Sequence, residues 1–391
     1  METFLLRADA ALTPLEKILD AAILVRDGVI ESVGPRSAVS LPLNAKEIHQ
    51  PGALAVPGFI DVHVHGAGGH DVMEGTPEAL AAVTRTVLSR GTTSLVATTV
   101  SASTDATCRS VSGIAAFIAS QHSAGNSSSA AGAEILGIHF EGPFLSPARR
   151  GVHPADSLRL PSADLLEKFL AAANGTARIL TLAPELLGAA PCIEAARKAG
   201  LAVAMGHTDA TYEQARAAIA RGACHAVHVY NAMRPFSHRD AGVIGAVLTS
   251  PEVTAELIAD GVHVDEPSMQ LLLRAKSVDR IILVSDGTAA TGMPDGNYRL
   301  GTLEVTVSGG VCRNVEGKLA GSTLTLDRAL RNIAALGVPV EDAVRMLTLN
   351  PAKLLGIEYK KGVLRPGADA DIVLLDDKLH VAGVFARGLP A

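Results

Sequence analysis

Six side chains that can bind a metal stand at or next to the ends of apolar segments of strand length. They are His63, His65, Glu141, His207, His228 and Asp286. Imidazole nitrogens together with a carboxylate suit Zn²⁺ or Fe²⁺, and a metal held by three protein ligands keeps a position open for water. The metal lowers the pKa of that water toward neutrality and so supplies a nucleophile. These residue types therefore predict metal-dependent hydrolysis.

Asp286 ends the last of these segments and is the candidate proton carrier. Its carboxylate could take the proton of the attacking water and pass it to a leaving amine. The alternative is that Asp286 only caps the turn that follows, in SDGTAATG. Each histidine taken alone is also more often a hydrogen-bonded structural residue than a ligand. Six metal-compatible side chains at five segment ends nevertheless favour a metal site.

Eight apolar runs form the framework that has to position these side chains. They cover residues 59–65, 93–100, 134–141, 178–185, 201–207, 223–229, 254–260 and 280–287. Helical segments separate most of them. Residues 76–91 begin with Thr76 as a helix N-cap and Pro77 at the first helical position and stop at Gly91, and residues 211–222 repeat this pattern. The alternation predicts an α/β protein whose strands form a closed parallel (β/α)₈ TIM-type barrel.

An open doubly wound sheet is the alternative, but no Gly-rich phosphate loop follows the first strand, where such a fold would carry one. In a barrel the carboxyl ends of all strands meet at one edge, where barrel enzymes keep their active sites. The six candidate side chains would therefore converge. Alternation along the first strand places His63 and His65 on the same side, both pointing inward.

Both ends of the chain are β-rich. The pair Asp27-Gly28 between the runs AAILV and VIESV predicts a hairpin with a tight turn. The two ends together predict a small β-sandwich domain made of residues 1–54 and 359–391, around a barrel at residues 55–358.

Two further segments interrupt the barrel pattern. Residues 297–322 predict a β-hairpin inserted after the eighth strand. Residues 123–133 are of low complexity and predict a surface loop without chemistry.

Composition and charge exclude several classes of protein. The 40 acidic and 34 basic residues are spread along the chain, for a net charge of −6, so a basic nucleic-acid surface is not expected. Trp is absent and aromatic residues make up 3%, so a sugar would be held by polar groups and not by stacked Trp rings. The four cysteines form no CxxC pair, which predicts neither a disulfide framework nor a structural zinc site. No signal-peptide or membrane-spanning pattern is present, so a cytoplasmic location is expected.

Six motifs occur along the chain in the order PGFIDVHVHG, HFEGPF, MGHTDA, HVYNAM, IADGVHVD and VSDGTAATG. In this order they resemble the N-acetylglucosamine-6-phosphate deacetylases of the amidohydrolase superfamily. The likeness runs over nearly the whole chain, as far as LNPAKLLG and GADADIVLLD. The HxH and GADADIVLLD segments mark only the superfamily, whereas HFEGPF with a following GVHP and HVYNAM with a following HR are more specific. The resemblance implies hydrolysis of N-acetyl-D-glucosamine 6-phosphate to D-glucosamine 6-phosphate and acetate.

The resemblance also implies roles for individual residues. The implied metal ligands are Glu141, His207 and His228, and the implied catalytic acid/base is Asp286. The implied contacts with the substrate come from Gly142, His153, Asn231, Ala232, Arg239, His263, Leu319, Ala320 and Gly321. Among these, His153 would also polarise the acetyl carbonyl, and Arg239 and His263 would hold the phosphate.

Arg239 bears on the assembly as well. In the family this arginine reaches across a dimer interface, so the resemblance implies a homodimer. Guanidinium groups make forked contacts with phosphate oxygens, which agrees with the implied role. Taken without the resemblance, His238 and Arg239 could equally form a solvated loop.

The number of metals is open. Some family members replace the HxH pair and hold a single ion, but His63 and His65 are present here and permit a second ion, with Glu141 bridging the two. Many two-metal members of the superfamily use a carbamylated lysine at a strand end, and every lysine of this chain misses the predicted strand ends. One or two Zn²⁺ or Fe²⁺ ions per subunit are therefore expected.

Three other functions stay open at this stage. The first is the same chemistry on another acetamido sugar phosphate, such as N-acetylgalactosamine 6-phosphate. The second is a different amidohydrolase, for example a deaminase, which needs no phosphate clamp. The third is a binding protein on a decayed enzyme fold, against which stands the presence of every expected ligand.

Overall fold

The computed structural model describes residues 3–43, 45–123 and 131–391, so most of the predicted loop at 123–133 lies outside the described residues. The strands before the first α-helix are β1 (Phe4–Leu12), β2 (Lys17–Arg26), β3 (Val29–Pro35), β4 (Lys46–Pro57), β5 (Phe59–Val64), β6 (Gly66–Ala67) and β7 (His70–Asp71). The next strands are β8 (Thr92–Thr99), β9 (Glu134–Glu141), β10 (Ala177–Leu182), β11 (Ala202–Met205), β12 (Ala223–Ala226), β13 (Thr254–Leu257) and β14 (Ile281–Leu283). The last are β15 (Gly296–Leu300), β16 (Leu303–Ser308), β17 (Val311–Asn314), β18 (Ile372–Leu375), β19 (Val381–Ala386) and β20 (Leu389–Pro390).

The described α-helices lie mostly between the strands of the middle part. They are α1 (Pro77–Leu88), α2 (Thr104–Ser123), α3 (Ala163–Ala173), α4 (Ala189–Lys198), α5 (Tyr212–Arg221), α6 (Gly242–Thr249), α7 (Glu266–Ala275), α8 (Leu326–Ala335), α9 (Val340–Leu347) and α10 (Leu349–Leu354). Short 3₁₀ helices cover Arg36–Ala38, Val72–Glu74, Pro147–Arg149, Ala155–Ser157 and Val278–Arg280. None of the helices in the described part of the chain is both long and apolar enough to cross a bilayer.

Eight strands pair side by side in parallel, in the order β14-β13-β12-β11-β10-β9-β8-β5. Each predicted apolar run overlaps one of them, although β8 and β10 begin one residue before their predicted runs. A helix follows each strand before the next strand of this sheet or, for β14, after the insert. Every residue of β5 and β8 is buried, as expected when both faces of a parallel sheet are covered. The predicted α/β class with an eight-stranded parallel sheet is confirmed.

The sheet is curled, and the segment that follows β14 contacts the strand at the other edge, β5. Val64 and Gly287 form a parallel bridge. The backbone N–H of Asp286 donates to the carbonyl of His63 over 2.9 Å, and the N–H of His65 donates to the carbonyl of Gly287 over 2.8 Å. Asp286 is thereby placed directly beside His63 and His65, which are 223 and 221 positions away from it in the chain.

The helix signals in the sequence are confirmed for two helices. The hydroxyl of Thr76 accepts the N–H of Ala79, and α1 ends at Leu88, before Gly91. For α5, Thr211 forms a capping box with Gln214, and Gly222 ends the helix with a φ of 106°. Polar residues at the first turns satisfy N–H groups that have no partner within the helix.

Strands from both termini form one sheet of seven strands, in the order β20-β19-β18-β4-β1-β2-β3. The predicted hairpin at Asp27-Gly28 is confirmed, since both residues take positive φ (51° and 80°) between β2 and β3. Strand β4 ends at Pro57, two residues before β5 begins. The chain therefore passes from this sheet into the eight-stranded sheet almost without a linker.

The insert after β14 differs from the expectation. Residues 297–322 were expected to form one hairpin, but the segment forms the three-stranded antiparallel sheet β15-β16-β17. The physical reason is a second reversal. The turn at Gly301 takes a φ of 57°, and the turn at Gly309-Gly310 takes 59° and 73°, values that glycine reaches without strain.

Candidate metal centre and active site

Glu141, the last residue of β9, lies at the centre of the predicted cluster. Its Oε1 atom lies 3.0 Å from Nε2 of His228, 3.1 Å from Nε2 of His207 and 3.4 Å from Nε2 of His63. The Glu141 side chain is 3% exposed. One buried carboxylate oxygen therefore faces three imidazole nitrogens that come from three different strand ends.

The second oxygen of Glu141 and the carboxylate of Asp286 extend the cluster. Oε2 of Glu141 lies 3.3 Å from Nε2 of His65. Oδ1 of Asp286 also lies 3.3 Å from Nε2 of His65, and 3.6 Å from Nε2 of His63. All six side chains predicted from the segment ends are thus brought together.

The backbone reaches this arrangement in a way that the sequence did not show. Ladder pairing stops at Met205, Ala226 and Leu283. His207, His228 and Asp286 therefore lie beyond the strands proper and not at their last position, and they take positive φ values of 46°, 30° and 49°. Left-handed backbone is uncommon for such residues and clusters at functional sites.

The Nδ1 atoms of three histidines contact oxygens that can only accept. Nδ1 of His207 lies 3.0 Å from the carbonyl of Arg149, Nδ1 of His65 lies 3.0 Å from the carbonyl of Thr98, and Nδ1 of His63 lies 2.8 Å from the Glu256 carboxylate. Each ring therefore carries its proton on Nδ1 when neutral and turns a lone pair on Nε2 toward the cluster.

Lone pairs that face carboxylate oxygens repel unless positive charge lies between them. Nε2 of His63 has no hydrogen-bond partner although it is buried. A divalent cation satisfies both kinds of donor atom, and outer carbonyls or carboxylates that hold the second ring nitrogen are a regular feature of histidine metal sites. The donor set and its orientation therefore fit Zn²⁺ or Fe²⁺.

The pKa values of the clustered groups also indicate that positive charge is stabilised there. Burial by itself lowers the pKa of His63, but Glu256 and Glu141 outweigh it and raise that pKa well above its usual value. For His65, burial is likewise outweighed by Asp286 and Glu141, and the pKa rises to about 9. Burial raises the pKa of Glu141, but His63 and His207 outweigh it and hold that pKa well below its usual range.

Three overlapping groups of the described residues bring ligand atoms within 4.8 Å of one another. The groups are His63, Glu141 and His228; His63, His65 and Asp286; and Glu141, His153 and His207. The first and second groups share His63, and Glu141 belongs to the first and third. These groups would offer ligand atoms to one ion or to two.

His153 differs from the other histidines of the cluster. Its Nδ1 atom lies 3.2 Å from the backbone N–H of Ser101 and 2.9 Å from the Ser101 hydroxyl. Because a backbone N–H can only donate, Nδ1 accepts, and the proton of the neutral ring sits on Nε2. Burial lowers the pKa of His153 to about 4, with His207 also contributing, so the ring is neutral near pH 7. His153 therefore offers a hydrogen-bond donor, whereas His63, His65 and His207 offer lone pairs when neutral.

A cavity of about 220 Å³ opens over the cluster. The residues that were expected to contact substrate and that line it are His153, Asn231, Ala232, His263, Leu319 and Gly321. Nδ1 of His263 is held 2.7 Å from Asp260. Most of the residues that were expected to contact the substrate therefore line one cavity, next to the cluster around Glu141.

Three expected substrate residues do not line this cavity. Gly142 takes a φ of 87°, and a Cβ there would lie 2.2 Å from the Ser101 hydroxyl, so this position needs glycine for close packing. Ala320 is completely buried in the apolar core of the insert. Arg239 is exposed outside the cavity of its own chain.

Sequence reasoning missed several residues that shape the site. Glu256 lies within β13, buried among apolar neighbours, and binds His63. Its signal was a carboxylate inside the apolar run TAELIAD. Val100, Val152 and Leu300 form an apolar side of the cavity and belong to, or pack against, the core of the three-stranded insert. No local pattern marks them, because they meet only through the insert.

Comparison with known proteins shows the family of this chain. The model of the amidohydrolase family matches residues 54–389. This chain belongs to the amidohydrolase family.

Its relatives define the branch more closely. An N-acetylgalactosamine-6-phosphate deacetylase of Escherichia coli O157:H7 is 37% identical over 99% of this chain and 98% of its own length. An N-acetylglucosamine-6-phosphate deacetylase of Bacillus subtilis (strain 168) is 35% identical over 99% of this chain and 96% of its own length. The structure of a variant of the Mycobacterium smegmatis N-acetyl-D-glucosamine-6-phosphate deacetylase, in complex with N-acetyl-D-glucosamine-6-phosphate, superposes with a TM-score of 0.91 at 36% identity, over 100% of this chain and 99% of that one. The resemblance seen in the sequence motifs is thereby confirmed.

Proposed function

We propose that the protein hydrolyses N-acetyl-D-glucosamine 6-phosphate to D-glucosamine 6-phosphate and acetate with the help of a divalent metal. The observation that carries this proposal is that the neutral histidines around Glu141 occur in two different tautomers. His207, His65 and His63 turn lone pairs toward the cluster, whereas His153 turns an N–H toward it. The first arrangement suits a cation and the second suits the oxygen of an acyl group.

Glu141, His207 and His228 are the proposed ligands of the metal, and His63 and His65 the proposed ligands of a second ion that Glu141 would share. When bound, such an ion lowers the pKa of a water molecule and polarises a carbonyl oxygen. Zn²⁺ and Fe²⁺ both suit imidazole and carboxylate donors. The expectation of one or two ions per subunit stays a prediction.

Asp286 is the proposed acid/base. Burial raises its pKa, but His65 and His63 outweigh burial and lower it, so the group is ionised and ready to accept a proton. It lines the cavity beside the cluster, where it can take the proton of the attacking water and deliver it to the leaving nitrogen. His153 donates from Nε2 to the acyl oxygen and stabilises the charge that develops there.

The sugar phosphate would bind in the same cavity, next to Asn231, Ala232 and His263. Asn231 and Ala232 follow His228 in the chain, and together with His263 they line the cavity. Arg239 is exposed, which agrees with a role in the site of a second copy of the chain. We propose a homodimer in which Arg239 and His263 hold the phosphate.

The finer architecture is part of the same proposal. The bridge between Val64 and Gly287 supports a closed (β/α)₈ barrel at residues 55–358. The seven-stranded sheet formed by both termini supports a small β domain at residues 1–54 and 359–391, and its sandwich architecture stays a prediction. A cytoplasmic location stays a prediction.

One alternative substrate is favoured by a specific observation. The Escherichia coli O157:H7 relative, 37% identical over 99% of this chain, is an N-acetylgalactosamine-6-phosphate deacetylase. The two sugars differ only in the orientation of one hydroxyl group. The galactosamine epimer is therefore the second candidate.

One experiment tests the proposal directly. The purified protein is analysed for bound metal, and acetate release is measured from N-acetylglucosamine 6-phosphate, N-acetylgalactosamine 6-phosphate and unphosphorylated N-acetylglucosamine. We expect the highest kcat/KM on N-acetylglucosamine 6-phosphate and little turnover of the unphosphorylated sugar. A higher kcat/KM on the galactosamine epimer would select the alternative, and no acetate from any of the three would contradict the proposed chemistry.

A further inference from the structure

Glu256 is a completely buried carboxylate in β13, below the metal cluster. Its Oε2 atom lies 2.8 Å from Nδ1 of His63 and accepts the backbone N–H of His228 over 3.1 Å. Its Oε1 atom lies 2.8 Å from Nε2 of His225. One side chain therefore contacts two of the proposed metal-binding residues and a third histidine that is not part of the cluster.

The contact with His63 determines how that ring presents itself. A carboxylate oxygen can only accept, so Nδ1 of His63 donates and Nε2 is left with its lone pair. Nε2 is the buried nitrogen that has no hydrogen-bond partner. The contact with Glu256 consequently orients Nε2 of His63 toward the cluster and leaves it without a proton, as a metal ligand requires.

The contact with His228 acts through the backbone. Strand β12 ends at Ala226, and His228 takes a φ of 30°, outside the regular ladder. The Glu256 side chain accepts the N–H of His228, and the Glu256 carbonyl accepts the N–H of Val229 over 3.0 Å. β13 thereby holds the segment that carries this proposed ligand.

A further hydrogen bond keeps Glu256 itself in place. His225 lies on the opposite side of the carboxylate, and its Nδ1 atom lies 2.7 Å from the hydroxyl of Thr254. His225 is completely buried and Thr254 is 7% exposed. Glu256 is thus fixed from both sides by protein groups.

We propose that Glu256 is a positioning residue for the metal centre: it holds His63 with the Nε2 lone pair directed at the ion and decides whether the His63 side of the centre is occupied. This inference rests on the proposed metal-dependent function and adds to it a residue of β13. A carboxylate that accepts the second N–H of a ligand histidine raises the basicity of that ligand and fixes its orientation, and loss of such a partner lowers metal affinity about 10- to 100-fold.

The test compares zinc binding by four proteins: the wild type, Glu256→Gln, His63→Asn and the double variant. Glutamine keeps the size of the side chain and still offers one oxygen and one NH₂ group, so the buried contacts can be retained while the charge is lost. Zinc ions per chain are counted after dialysis against buffers of defined free Zn²⁺, and Co²⁺ is titrated as a spectroscopic probe. Asp371→Asn is the matched control, since Asp371 is also buried and ion-paired but contacts Lys361 and not the cluster.

We expect Glu256→Gln to lose the same ion as His63→Asn, with about a 10- to 100-fold weaker affinity. The double variant should bind zinc like His63→Asn alone, because both changes act through one ring. Asp371→Asn should bind zinc like the wild type.

Zinc binding by Glu256→Gln within about twofold of the wild type would overturn the inference. Additive losses in the double variant would also overturn it, because they would mean that Glu256 acts on the protein in general. If the wild type bound zinc but released no acetate from any sugar phosphate, the proposed substrate would fail while the comparison of zinc affinities would still decide the role of Glu256.

Discussion

The backbone N–H of Ser101 lies 3.2 Å from Nδ1 of His153 and donates to it. This single contact separates His153 from the histidines around it, because it forces the ring proton onto Nε2. A ring of this kind is a hydrogen-bond donor and a poor metal ligand. The cluster therefore contains two kinds of histidine, although all of them lie near Glu141.

Replacing His153 should consequently reduce turnover without removing metal. We expect His153→Asn to lower kcat about 10²- to 10³-fold, the effect of removing one donor that stabilises a developing oxyanion. The metal content should equal that of the wild type. Steady-state kinetics and metal analysis of the same preparation check this prediction. A variant that lost its metal together with its activity would show that His153 is a ligand.

Asp286 should be needed for proton transfer. Because Asn cannot accept a proton, Asp286→Asn should lower kcat about 10²- to 10⁴-fold, the usual contribution of general acid–base catalysis. The substrate KM should change much less. Acetate release at saturating substrate gives kcat directly. Retention of most of the turnover would refute the assigned role.

Removal of metal should affect both activity and stability. His63, His65 and His207 face carboxylates. Without a metal, the positive charge among them has to come from protons on rings such as His63 and His65, whose pKa is raised. Chelation should abolish acetate release, and Zn²⁺ or Fe²⁺ should restore it. An ion present at about 1,000 times its Kd adds about 4 kcal/mol to the free energy of unfolding. Thermal unfolding with and without chelator measures this change, and an identical Tm in both would contradict it.

Arg239 should matter only for the phosphorylated substrate. Hydrogen bonds to a charged group contribute about 1.5–3 kcal/mol, so Arg239→Ala should raise KM for the sugar phosphate about 10- to 100-fold. The low turnover of unphosphorylated N-acetylglucosamine should stay the same, and it serves as the internal control. Unchanged KM for the sugar phosphate would favour an amidohydrolase without a phosphate clamp, such as a deaminase.

Lys361 should be important for stability and not for catalysis. Its Nζ atom lies 2.7 Å from Asp371, 2.8 Å from Glu134 and 2.9 Å from Asp369, and the side chain is 4% exposed. Burial lowers the pKa of Lys361, but Asp371, Glu134 and Asp369 outweigh burial and raise it, so the group is charged. Because Glu134 begins β9 and the two aspartates precede β18, this cation joins the eight-stranded sheet to the terminal sheet.

Lys361→Met should therefore lower the free energy of unfolding by about 3–5 kcal/mol, as when a buried charge network loses one partner. Urea unfolding measures the change. Lys318→Met is the control, since Lys318 pairs with Glu316 at the surface, where both side chains are more than half exposed. Such exposed pairs contribute about 0–1 kcal/mol. Equal losses in the two variants would argue against a special role for Lys361.

Much of the framework could be predicted because its signals are local. Continuous apolar runs indicate strands that are buried on both faces, and Thr76 and Thr211 mark helix starts because a side-chain oxygen next to the first turn satisfies free N–H groups. Glycines also indicate turns, but their number alone did not show that the insert reverses twice. The insert was therefore expected as a hairpin and has three strands.

The sequence by itself determined that six side chains come together around Glu141, because each stands at or near the end of an apolar run and parallel strands bring those ends together. It did not determine what each member does. The protonation states of His63 and His153 depend on Glu256 and Ser101, which lie 193 and 52 positions away from them in the chain. Only the tertiary structure decides such contacts, since a ring nitrogen becomes a donor or an acceptor according to the group that faces it in space.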